Sequence, residues 1–157
     1  MNIRIGHGYD AHRFGEGVFV TLAGVQVPHS QGVIAHSDGD VLLHALCDAL
    51  LGAIGAGDIG QHFPDTDATW KGANSRALLR HVMSLVRAAG YQVANADLTL
   101  LAEAPRIGKY RTQMAQCVAE DIGTSAVNIK ATTTEKMGWI GRQEGLAAHA
   151  VVLLIGA

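Results

Sequence analysis

Ala35–Asp67, AHSDGDVLLHALCDALLGAIGAGDIGQHFPDTD, gathers three histidines and six acidic residues around one helical pattern, in a 157-residue chain that is only 17% charged. It reads as loop, helix and second loop. Ser37 and Asp40 have the spacing of a capping box, so a helix is expected to begin near Asp38. Val41, Leu42, Ala45, Leu46, Ala49, Leu50 and Ile54 recur at three- and four-residue spacing, which makes an apolar face that must be buried. Asp40, His44 and Asp48 lie four apart and stack on the other side of the same helix. Glycines at 52, 55, 57 and 60 then end the helix and open a loop where backbone can approach a ligand closely. The stretch has the character of one wall of an active site.

On its N-terminal side, Asn2–Gly8 reads as a short strand with Ile3 and Ile5 pointing one way, ending in Tyr9-Asp10-Ala11-His12. Residues two apart in extended backbone project to the same side, so Asp10 and His12 form a two-pronged claw at the strand end. Val18–Val27, split at Ala23-Gly24 and closed by Pro28, reads as a hairpin. On the C-terminal side, Asn74 can cap a helix running to about Ala89, with Leu78, Leu79, Val82, Met83 and Val86 inward and Gly90 as its stop. Val93–Leu101 is a predicted strand, Ile107–Ile122 a helix stopped by Gly123, Val127–Thr133 a strand, and Leu146–Ile155 a long apolar last strand. Strands and helices alternate, so an α+β fold is expected: a mixed sheet with helices on one face, in a single domain over residues 1–157.

Composition narrows the function. Apolar content is 48%, and no run approaches the roughly 20 residues of a membrane span. The opening MNIRIGHGYD has neither signal-peptide nor transit-peptide character, and a cytoplasmic protein is expected. Cys47 and Cys117 lie far apart inside helical patterns and read as reduced core residues. A net charge of -2 without a basic cluster argues against nucleic acid. A polyanionic ligand would therefore need local cations, from metals or a few placed basic side chains.

Asp10, His12 and His44 together are a donor set for zinc with its fourth position open. The alternative separates them, with Asp10 as a turn cap, His12 exposed and His44 a satisfied core histidine. Asp48, one turn after His44, is a candidate to orient its ring or to touch substrate. His36 and Ser37, at the start of the helix, can hold a phosphate, or Ser37 merely caps. Thr132, Thr133, Thr134, Glu135 and Lys136 suit a phosphate chain bridged by Mg²⁺, although a threonine-rich strand facing water would look the same. His7, His29, His62, His81 and His149 gain no role from pattern.

Read in order, IGHGYDAHRF, AHSDGDVLLHALCDALLGAIGAGDIGQHFPDTD, KGANSRALL, AEAPR and NIKATTTEKMGWIGRQEG closely resemble the 2-C-methyl-D-erythritol 2,4-cyclodiphosphate synthase family of the non-mevalonate isoprenoid pathway. The likeness covers essentially the whole chain. It implies conversion of 4-diphosphocytidyl-2-C-methyl-D-erythritol 2-phosphate to the cyclic diphosphate with release of CMP. Asp10, His12 and His44 match the family's zinc ligands, and Glu135 matches the ligand of a second ion, Mg²⁺ or Mn²⁺. His36 and Thr133 match its proposed transition-state stabilisers, and His36 and Ser37 its contacts to substrate phosphate. Asp58, Ile59 and Gly60 would hold the erythritol portion, with Phe63, Pro64, Asp65, Thr66 and Asp67 completing that pocket and Asp48 pointing towards it. Ala102, Glu103, Ala104, Pro105 and Arg106 would line the cytidine pocket, and Thr132, Thr133, Thr134 and Glu135 would meet the diphosphate. The resemblance also implies a homotrimer with active sites at subunit boundaries, and Trp139, Arg142 and Glu144 near its axis, where the family has an apolar cavity and aromatic and basic residues would suit a prenyl diphosphate or form a structural interface. Trp139 stands where phenylalanine is usual, Asn74 replaces an aspartate, and IGKYRTQM after Arg106 departs from the family pattern. Two other readings stay open: a metal-dependent nucleotide-diphosphate hydrolase, which would give a linear product, and a non-catalytic zinc trimer that binds isoprenoid diphosphates.

Overall fold

A computed structural model describes residues 1–157. Along the chain run β1 (Ile3–Gly15), β2 (Phe19–Leu22), β3 (Val25–Pro28), β4 (Gly32–Ile34), α1 (Val41–Ala53), α2 (Ile59–His62), α3 (Ser75–Ala88), β5 (Tyr91–Leu101), α4 (Arg111–Ile122), β6 (Val127–Thr132), α5 (Gly138–Gly141) and β7 (Gly145–Gly156). Five strands form one sheet in the order β4-β1-β7-β5-β6, and β2 pairs with β3 as a separate hairpin. Only β5 and β6 run parallel. The sheet is therefore mixed, and the fold is α+β as the alternation of patterns predicts.

β1 is longer than its sequence suggests. Gly6 and Gly8 look like strand breakers, yet the strand continues to Gly15 because β7 offers an uninterrupted antiparallel partner, pairing Asp10 with Ala148 and His12 with Leu146. Asp10 and His12 consequently sit within the strand, not at its end. Both glycines are required by packing. A Cβ on Gly6 would meet the Ala49 carbonyl oxygen at 1.8 Å, and one on Gly8 would meet that of Ala45 at 1.8 Å, so the backbone of α1 lies directly on the strand.

α1 also departs from expectation. It begins at Val41, with Asp40 as its N-cap accepting from the Leu43 N–H, and not near Asp38 with Ser37 as cap. The shift has a cause: the fully buried Asp40 carboxylate also accepts from Ala23 N at 2.9 Å and Gly24 N at 2.8 Å, fastening the hairpin turn to the helix start. That turn puts Ala23 and Gly24 at φ 50° and 80°, so the predicted split of the hairpin is where the chain reverses. Leu43, Cys47, Leu51 and Ala53 are buried along with the predicted apolar face except Ile54, the partly buried C-cap, so α1 is a central helix wrapped on nearly all sides. α3 keeps the predicted inward stripe of Leu78, Leu79, Val82, Met83 and Val86, and Asn74 caps it by accepting from Arg76 N.

Candidate metal centre and substrate pocket

Strand β1 presents Asp10 and His12 towards α1, which presents His44 in return. Asp10 Oδ2 lies 3.0 Å from His44 Nδ1 and 3.1 Å from His12 Nε2, and the two imidazole nitrogens are 3.3 Å apart. Tetrahedral zinc with ligands at roughly 2.0–2.1 Å would set its donors about 3.3–3.4 Å apart, so small side-chain adjustments suffice to receive such an ion. Burial alone would raise the Asp10 carboxyl, but hydrogen bonds and charge from His12 and His44 outweigh it and bring the pKa down to about 2. Burial likewise opposes charge on His44, yet Asp10 prevails and its pKa lies above the ordinary histidine value. Nδ1 and the carboxylate thus face each other at a distance that calls for a cation between them, a proton or a metal.

The ring of His44 is held from its other side. Nε2 lies 2.8 Å from Ser75 Oγ and 3.2 Å from Ser37 Oγ. Asp48, expected as a possible partner of His44, instead accepts from Ile59 N at 2.7 Å and anchors the start of α2. Burial raises its carboxyl pKa, with partial relief from that N–H. Ser75 and Asp38 were not singled out by sequence pattern. The signal for Ser75 was there: it occupies the inward stripe of α3 three residues before Leu78, so a polar side chain at that position needed an explanation.

His12, His36, Ser37, His44, Ile59, Gly60, Phe63 and Asp65 line one cavity of about 280 Å³, together with Ala35, Trp70 and Leu78. Phe63 is buried and packs edge-on to Trp70, ring centroids 4.6 Å apart, and to His81 at 5.5 Å. Trp70 and Leu78 were missed by sequence reasoning because nothing marks them as other than packing residues. Asp58 and Asp67 have local duties, capping α2 through Gln61 N and a short 3₁₀ turn through Thr69 N. Pro64 and Thr66 complete the same loop without lining the cavity. Near His36 and Ser37, the buried N-cap Asp40 takes the Leu43 N–H, so one of the helix-start donors expected to meet an anion there is already satisfied.

The threonine cluster lies elsewhere. Ala102, Glu103, Pro105, Arg106, Thr132 and Thr133 line a separate cavity with Arg111, beside Ala104. Glu103 accepts from Thr134 N at 3.0 Å, tying the loop after β6 to the segment after β5. Glu135 and Lys136 adopt φ of 53° and 64°, left-handed conformations that non-glycine residues enter under constraint. Sheet register places His12 opposite Leu146, Leu101 opposite Ala147, and Thr132 opposite Leu101, at one end of the sheet but three strand spacings apart. That separation is roughly 14 Å, too wide for one diphosphate to bridge within a chain. Trp139 lies beside Ala11, His12 and Arg13 of β1, and Arg142 pairs with Glu144 at 2.9 Å.

The sequence pattern of the YgbB family matches residues 3–155. The 2-C-methyl-D-erythritol 2,4-cyclodiphosphate synthase of Ectopseudomonas mendocina is 64% identical over 99% of this chain and all of its own length. That of Chromohalobacter salexigens is 62% identical over 99% of this chain and 97% of its own. Among solved structures, IspF of Plasmodium falciparum in complex with CDP superposes with a TM-score of 0.86 at 34% identity, covering 99% of this chain and 97% of that one. The bifunctional IspDF of Campylobacter jejuni superposes at 0.94 with 44% identity; it is a longer protein, and this chain spans 42% of it. The chain belongs to the YgbB family, that of the 2-C-methyl-D-erythritol 2,4-cyclodiphosphate synthases.

Proposed function

We propose that Asp10, His12 and His44 form a catalytic metal centre at which a cytidine diphosphate substrate is folded into a ring. The activity follows from family membership: the enzyme converts 4-diphosphocytidyl-2-C-methyl-D-erythritol 2-phosphate to 2-C-methyl-D-erythritol 2,4-cyclodiphosphate and CMP, in isoprenoid biosynthesis. An oxygen of the 2-phosphate attacks the β-phosphorus, the bond from that phosphorus to the oxygen shared with the α-phosphate breaks, and CMP departs. The nucleophile is already an anion, so no general base is required of the protein. The work left is to bring attacking oxygen and phosphorus into line and to neutralise spreading charge.

The observation carrying this reading is the converging donor set, Asp10 Oδ2, His12 Nε2 and His44 Nδ1, at the rim of a cavity lined by His36 and Ser37. When bound there, zinc supplies a Lewis acid for the β-phosphate, and Mg²⁺ or Mn²⁺ at Glu135 supplies charge neutralisation for the leaving CMP. His36 and Thr133 donate to phosphoryl oxygens. Asp58, Ile59, Gly60 and the loop of Phe63, Pro64, Asp65, Thr66 and Asp67 enclose the erythritol portion, with Asp48 anchoring that loop. Ala102–Arg106 read the cytosine, and Thr132, Thr134 and Glu135 hold the diphosphate. Domain limits of 1–157 and a cytoplasmic setting complete the reading.

The same reading assigns a homotrimer. In support, the sheet face away from the helices leaves Ile3, Ile5, Tyr9 and Val151 uncovered, an apolar patch of the kind that marks an interface. The gap of roughly 14 Å between His12 and Thr132 is the second support, since a neighbouring chain can bring the two walls together. No helix of the chain is long and apolar enough to cross a membrane.

The test is phosphorus NMR of the purified protein with substrate and Mg²⁺. Cyclic diphosphate with CMP supports the reading; a linear phosphorylated product points to a hydrolase, and no turnover by folded, zinc-loaded protein points to a binding module.

A further inference from the structure

We propose that Ser75, locked by Asp38, is the positioning residue that fixes which nitrogen of His44 faces the metal. The inference rests on the metal reading above and extends it to two residues with no role in that reading. Ser75 is fully buried at the first turn of α3, and Asp38 is tied in place three times. It accepts from Ser75 N at 2.9 Å and Asp40 N at 3.2 Å, and from the Ser75 hydroxyl in a short contact.

Proton counting decides the polarity of this chain. A serine hydroxyl has one proton, and a carboxylate oxygen can only accept. The Ser75 proton therefore goes to Asp38, and the lone pair of its oxygen is left for His44 Nε2, 2.8 Å away. That nitrogen must carry the hydrogen of the bond. With Nε2 protonated, the neutral ring offers a metal its Nδ1 lone pair, the atom 3.0 Å from Asp10 and 3.3 Å from His12. Ser37 Oγ, at 3.2 Å from Nε2, is the longer and weaker second acceptor. The carboxylate does not touch the histidine; it acts through the hydroxyl, and the helix start of α3 thereby sets the aim of a ligand on α1. Groups that orient a metal-binding imidazole in this way typically carry an effect of roughly 10–100-fold on metal affinity.

The test is zinc affinity by chelator competition in the whole protein, with folding followed by circular dichroism and the ring N–H of His44 followed by NMR in the zinc-loaded state. Ser75→Ala keeps the backbone bond to Asp38 and removes only the hydroxyl, so zinc binding should weaken roughly 10–100-fold. The Nε2 proton should exchange slowly in zinc-loaded wild type and fast in this variant, and Ser75→Thr, which restores a hydroxyl, should recover the affinity. Should Ser75→Ala not fold, Asp38→Asn carries the same test, because it no longer compels the hydroxyl to turn away from His44. Undiminished zinc affinity in whichever of the two variants folds, or a loaded wild type whose His44 binds zinc through Nε2, would overturn the proposal. A wild type that binds no zinc at all would instead overturn the metal reading on which it rests.

Discussion

Gly8 lies against Ala45 so closely that a single added carbon would sit 1.8 Å from the Ala45 carbonyl oxygen. Asp10 is two residues beyond Gly8 on the same side of β1, and His44 precedes Ala45, so this contact is what sets Asp10 and His44 3.0 Å apart. Gly8→Ala should therefore harm fold and site together. We expect a loss above about 3 kcal/mol in thermal or urea unfolding. Zinc affinity in the fraction that folds should fall at least about tenfold. A variant of normal stability and affinity would show that the helix does not bear on the strand at this point.

Asp40 joins the helix start to the hairpin turn. Asp40→Ala leaves the N–H groups of Leu43, Ala23 and Gly24 without their acceptor, at a cost of about 2–4 kcal/mol, reduced by relief of burying a charge. Burial raises this carboxyl to about 6 against the pull of its three donors. The folded chain thus binds a proton that the unfolded chain releases, and this group's contribution to stability falls as pH rises from about 3.9 to about 6. Urea titrations of the two proteins at several pH values check both statements.

Zinc should reverse the pH trend of the Asp10 and His44 pair. Without metal, the raised pKa of His44 means that its contribution is complete below the unfolded value near 6.5 and is lost as pH rises through the folded value. Asp10, lowered to about 2, contributes above its unfolded value and loses that contribution only as pH falls towards 2. Zinc competes with the proton on His44, so its stabilisation grows as pH rises. Melting curves from about pH 6 to about pH 8, as the difference between wild type and Asp10→Asn, should slope downward in chelator and upward in zinc. Equal slopes would mean that His44 holds neither proton nor metal beside Asp10.

If each active site combines His44 of one chain with Glu135 of another, two inactive variants should complement. His44→Ala mixed with Glu135→Ala, unfolded and refolded together, should regain activity in up to about a quarter of its sites, the fraction with both residues intact under random assembly. No recovery in mixed trimers would confine the site to one chain.

Much of this arrangement is legible in the sequence, and the exceptions are physical. The helical stripes of α1 and α3 and the Ala23-Gly24 turn follow from local spacing, and the order of the longer elements follows with them, whereas β4, α2 and α5, three or four residues each, are too short to leave a periodic pattern. The length of β1 does not, because Gly6 and Gly8 weaken a strand locally and are demanded by a helix distant in sequence. The true start of α1 was hidden because Ser37 and Asp40 both look like caps, and the choice between them is made by the hairpin that Asp40 also holds. At the site, donor types made Asp10, His12 and His44 candidates beside separate roles, the family resemblance favoured the metal, and the fold brings the three side chains together. Ser75 and Asp38, 37 residues apart, could be joined only by the folded chain. Asp48 illustrates the converse, a carboxylate well placed along the helix whose bond is to Ile59 instead.

On the function proposed above, Asp10, His12 and His44 hold the metal on which turnover depends. The most direct measurement is a zinc titration of the chelated protein, reading bound metal and cyclic diphosphate formation side by side, with His44→Ala alongside. Activity should return in proportion to zinc bound and saturate at one ion per Asp10, His12 and His44 cluster, while folded His44→Ala stays inactive with affinity at least about a hundredfold weaker. Full activity in chelator, or equal zinc uptake by the variant, would contradict it.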